Sequence, residues 1–76
     1  MRTLNTIAQE IRADWGNKIS PHAAPYLEAM SDLQSVSDNF YADSGRSVVA
    51  YFLANAQTWR GEKAREIKKE LNLMIK

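Results

Sequence analysis

An all-helical fold, a compact bundle of three to four short helices, is what this 76-residue chain predicts. Three observations point to it. Apolar residues recur at the three- and four-residue spacings of a helix in several stretches. Glycine, proline or clusters of serine and aspartate separate those stretches. The one run that would also suit a buried strand, VVAYFL, leads into Ala-Asn-Ala-Gln, and its length and that continuation favour helix.

The first helix is expected over residues 3–15, because Leu4, Ile7, Ala8, Ile11 and Trp15 fall on one face. Gly16 and Asn17 then end it. Ser20-Pro21 resembles a helix start, but Pro25 would lie inside that helix and remove a hydrogen bond, so a short turn is expected first. The second helix is then read over 25–33, with Tyr26, Leu27, Met30 and Leu33 facing inward. Residues 34–44, QSVSDNFYADS, are rich in side chains that bond to nearby backbone, and they read as a loop carrying Phe40 and Tyr41. A third, central helix is expected over 44–58, burying Val48, Val49, Phe52, Leu53 and Ala56. The fourth, over 61–74, buries Ala64, Ile67, Leu71, Met74 and Ile75 and sorts its charges. Glu62, Glu66 and Glu70 form one stripe, and Arg65, Lys68, Lys69 and Lys76 form its neighbour.

The composition sets bounds on function. A 45% hydrophobic and 25% charged chain is ordinary for a globular protein, and its size suits one domain over residues 1–76 with a thin core. The absence of cysteine excludes disulfides, thiol catalysis and thiolate metal sites, and it suits a reducing compartment. Charges within the first twenty residues interrupt any apolar run long enough for a signal peptide or a membrane span, so a cytoplasmic protein without membrane contact is expected. The net charge is only +1, yet residues 1–38 hold three basic and five acidic side chains and residues 39–76 hold seven and four. Positive charge therefore gathers toward the C-terminus.

Tyr51-Phe52-Leu53, Asn55-Ala56, Trp59-Arg60-Gly61 and the basic helix after them, together with PYLEAM at 25–30, resemble a family of small bacteriophage and prophage proteins. The resemblance covers roughly residues 18–76. It implies a phage or prophage origin and action inside a bacterial cell, and it transfers no catalytic residue.

The residues themselves offer one candidate binding surface: Trp59, Arg60, Arg65, Lys68 and Lys69. Tryptophan and arginine are the types most enriched at binding hot spots, and here they sit at a helix junction. The plainer reading makes Trp59 a cap on the core, with Arg60 in solvent and Gly61 allowing the turn. The basic stripe would suit phosphates, and two helices with a tight connection suggest a helix-turn-helix. Against that, Glu62–Arg65 and Glu66–Lys69 are spaced to pair on the helix surface, and a sequence pI near 8.1 is low for a nucleic-acid reader.

Other constellations are weaker. His22 is the only histidine, and Glu28 with Asp32 would hold a hard cation weakly at best. Asp38, Asn39 and Asp43 do not match the spacing of an EF-hand loop. Ser44-Gly45-Arg46-Ser47 would bind an anion at a helix start, but it lacks the phosphate-loop sequence, and capping explains it more simply. No spacing brings His22 to a serine and an acid. The expectation is a non-enzymatic module without cofactor or metal that binds a protein or itself, with nucleic-acid binding as the alternative.

Overall fold

A computed structural model describes residues 2–40 and 43–76, and Tyr41, expected in the 34–44 loop, lies outside them. Four helices follow one another: α1 (Leu4–Trp15), α2 (Ala24–Ser31), α3 (Gly45–Ala54) and α4 (Glu62–Met74). Each packs on the next, and α4 closes the ring on α1. Chain connections bring the end of α2 beside the start of α1, and the start of α3 beside the end of α4, so successive helices alternate in direction. This is the expected all-helical bundle.

The helices form where the apolar spacing puts them, and local side-chain chemistry sets their ends. Thr3 caps α1, its hydroxyl accepting from the Thr6 N–H. The helix stops at Trp15, where the Gly16 N–H returns to the Arg12 carbonyl and a short 3-10 turn, Gly16–Lys18, follows. The predicted turn ahead of α2 is present, with the Ala23 and Ala24 N–H groups both bonded to the Ser20 carbonyl. Pro25 then occupies the first turn of α2, where its missing N–H costs nothing.

Six of the eight helix boundaries differ from expectation, the starts of α1, α2 and α3 by a single residue each. Helix α2 ends at Ser31 rather than 33, because the chain tightens into i→i+3 bonds from Asp32 to Ala29 and from Leu33 to Met30. Leu33 stays buried even so. Helix α3 ends at Ala54 rather than 58. There the Asn55 side-chain amide donates to the Tyr51 carbonyl at 2.8 Å, competing with the backbone ladder, and its own N–H turns to Phe52. The last helix starts at Glu62, after Gly61 at φ 114°, a conformation that strains any side-chain-bearing residue.

Residues 34–44, read as a loop, are held closely by hydrogen bonds. The Asp38 carboxylate accepts from the N–H groups of Gln34 and Ser35. Backbone bonds tie Gln34 to Leu4, Val36 to Arg46 and Asp38 to Gly45. A two-residue antiparallel ladder pairs β1 (Asn39–Phe40) with β2 (Asp43–Ser44), too short to alter the fold class. Gly45 is pressed against this segment, since a Cβ there would lie 2.7 Å from the Ser35 carbonyl oxygen.

One continuous core results, formed by Leu4, Ile7 and Ile11 of α1, Leu27 and Met30 of α2, Val49 and Phe52 of α3, and Ile67 and Leu71 of α4. Every expected face residue of α1 is buried. The exceptions elsewhere are Tyr26, Leu53 and Ile75, which are only half-buried at the rim. Among the described residues no polar side chain is buried, and no helix is long and apolar enough to cross a membrane.

Candidate binding surface on the last helix

The five candidate residues divide between core and surface. Trp59 is 2% exposed, so it belongs to the core and is removed from the candidate surface. Although α3 has ended, two tight turns through Ala56 carry the chain so that Trp59 caps the core, as the plainer reading had it. Its ring stacks on Trp15 at 5.7 Å and meets Phe52 edge-on at 6.4 Å. Trp15 in turn meets Phe52 edge-on, so the three rings close one end of the core. The indole N–H donates to the Asp14 carboxylate at 2.9 Å, which satisfies the polar edge of an otherwise buried side chain.

Lys68 lies directly over this cluster. Its ammonium donates to the Trp59 carbonyl at 2.7 Å and sits 5.8 Å from the indole centroid, within cation–π range. Partial burial, and secondarily the charge of Arg60, pull the Lys68 pKa below its ordinary value. Lys68 is thus fixed, whereas Arg60, Arg65 and Lys69 are exposed.

On α4 the residues Arg65, Lys68, Lys69 and Asn72 fall within an arc of about 100° at the helical repeat. The expected pairs Glu62–Arg65 and Glu66–Lys69 are not formed. Among the described residues the ion pairs instead join Arg2 to Glu10 and Glu70, and Lys63 to Glu10. These link α1 to the flank of α4 that carries Lys63 and Glu70, so of the three glutamates of α4 it is Glu70 that is engaged. The opposite strip of Arg60, Arg65, Lys68 and Lys69 keeps its positive charge without a carboxylate within 4.0 Å.

A second feature was not anticipated. At the C-terminal end of α4, Lys69, Asn72, Leu73, Ile75 and Lys76 line an open groove of about 460 Å3. Leu73 is 59% exposed, the most exposed large apolar side chain described. The signal was present in the sequence, because Leu73 falls roughly opposite the Ile67–Leu71–Met74 arc. Arg46 reaches from the first turn of α3 to the carbonyls of Ile75 and Lys76, fixing this end of the helix.

The remaining candidates are explained locally. Ser44 caps α3, accepting from the Ser47 N–H at 3.1 Å, and Asp38 is engaged by its own loop. His22, Glu28 and Asp32 are exposed, and no group of three His, Asp or Glu side chains converges among the described residues.

No protein family, curated protein or solved structure matches this chain.

Proposed function

We propose that this chain is a non-enzymatic interaction module of phage or prophage origin, acting in the cytoplasm of a bacterial host and binding another protein through the solvent face of α4. The carrying observation is the basic strip of Arg60, Arg65, Lys68 and Lys69, unpaired and continuous with an apolar groove at Leu73 and Ile75. Charged rims around an apolar centre are the usual anatomy of a protein interface. The burial of Trp59 changes its role in this reading, from hot spot to the platform that holds Lys68 in place. The proposed phage origin rests on the resemblance of residues 51–71, together with PYLEAM at 25–30, to that family.

The test is affinity capture from host lysate with the wild-type chain and with a triple variant, Arg60→Glu, Arg65→Glu and Lys69→Glu. All three side chains are exposed, so the fold should survive. The reading expects a protein retained by the wild type and lost by the variant. Equal retention by both would place the interface elsewhere.

Nucleic-acid binding is the second reading, favoured by the same unpaired cations. It expects a duplex or single strand to bind at low salt, with affinity falling steeply as salt rises. Neutralising Lys69 should then weaken all sequences alike. Absence of any mobility shift at low salt removes it.

A further inference from the structure

We infer that the groove at the C-terminal end of α4 receives an apolar side chain from an acidic segment of a partner protein. This rests on the protein-binding reading above and names the chemistry of the partner. The groove floor is aliphatic, formed by Leu73 and Ile75, and its edges are Lys69 and Lys76. No acidic side chain lines it. The nearest acid on the same helix, Glu70, is held by Arg2 through Nε at 3.2 Å and Nη2 at 2.5 Å, so its charge is already compensated. The Arg46 guanidinium adds positive charge beside the floor. An occupant with aspartates or glutamates flanking one large apolar side chain would satisfy both parts. Its anchor would cover Leu73 and its acids would meet the two lysines.

The composition of the floor separates this occupant from a nucleic acid. Bases bind without a partner strand chiefly by stacking on aromatic faces, and the groove contains none. Tyr51, the other exposed large apolar residue among those described, is stacked on Tyr26 at 5.4 Å and does not line the groove.

The experiment follows backbone amide shifts of the isotope-labelled full chain during titration with three short peptides. In the first, aspartates and glutamates flank a central Leu-Phe pair. In the second, alanines replace that pair. In the third, lysines replace the acids. Saturable shifts centred on Asn72, Leu73 and Ile75 are expected for the first alone, with affinity reduced about tenfold or more by Leu73→Asp and by Lys69→Glu. Both substitutions are at exposed positions, and circular dichroism checks that the helices persist.

The inference is overturned if no peptide shifts these residues, or if the alanine peptide binds as well as the first. It is overturned in favour of nucleic acid if a single-stranded oligonucleotide produces the same shifts at equal concentration. Concentration-dependent shifts at the groove without peptide overturn it in favour of a second copy of the chain. If the peptides fail while capture still depends on Arg60 and Arg65, the groove assignment falls and the broader reading stands. Failure of both removes both.

Discussion

Trp59 joins three parts of the molecule through one side chain. Its ring fills the space between Trp15 and Phe52, its N–H holds Asp14, and its carbonyl holds Lys68. Replacing it with alanine removes all the ring contacts and leaves a cavity, a loss of about 3–5 kcal/mol. A domain of this size has about 4–11 kcal/mol in total, from roughly 0.05–0.15 kcal/mol per residue. The Trp59→Ala protein is therefore expected to lose a large share of its stability, which thermal denaturation followed by circular dichroism will measure. Asp14→Ala keeps the ring but removes its hydrogen-bond acceptor, and a loss of about 1 kcal/mol is expected in urea unfolding. The charge of Arg60 also has a readable consequence. Arg60→Ala should raise the Lys68 pKa toward its ordinary value, visible in an NMR titration of the lysine side chain, though burial keeps the shift incomplete.

Among the elements, the segment between α2 and α3 gives the sharpest test. Gly45 begins α3 with its Cα facing the backbone of Ser35 and Val36, where an added Cβ would meet atoms at 2.7 and 2.9 Å. Backbone cannot rotate away as a side-chain tip would. Gly45→Ala is expected to cost about 1–3 kcal/mol, measured by denaturant unfolding, despite the higher helix propensity of alanine. Loss of no stability would mean that the loop is not packed as described. This contact was invisible in the sequence, where Gly45 read as part of a helix start. The Ser- and Asp-rich composition of 34–38 did identify its local bonding, but not the bonds to Leu4, Gly45 and Arg46, which depend on elements distant in the chain. Helix α3 shows the opposite case. The periodicity of Val48, Phe52, Ala56 and Trp59 correctly marked buried residues, yet it continued beyond the helix itself, because tight turns at Asn55 keep the same face inward. Spacing reports burial more faithfully than it reports where hydrogen bonding stops.

For the whole molecule, the distribution of charge follows from how the bundle closes. Arg2 spans α1 and α4 through Glu10 and Glu70, and Lys63 adds a second link to Glu10. These half-exposed pairs contribute little stability each, so Arg2→Ala should cost at most about 1 kcal/mol. Their larger effect is to engage Glu70 with α1, while Arg60, Arg65 and Lys69 take no part in the ion pairs described. The two charge stripes were legible from residue spacing alone. That Glu70 alone of its stripe would be paired among the described residues was not, since its partner Arg2 lies ahead of α1, far off in the sequence. The groove was missed for a related reason: a single off-face leucine gains meaning only once Lys69, Ile75 and Lys76 are seen around it.

The most direct test of the account compares binding of the captured partner by calorimetry to three versions of the chain. One is wild type, one carries Arg65→Glu and Lys69→Glu on α4, and one carries Glu28→Lys on α2 and Asp32→Lys at its C-terminal cap, both exposed. The account predicts at least about tenfold weaker binding for the α4 variant, or about 1.4 kcal/mol, and little change for the α2 variant. Retained affinity in the α4 variant with loss in the α2 variant would contradict it.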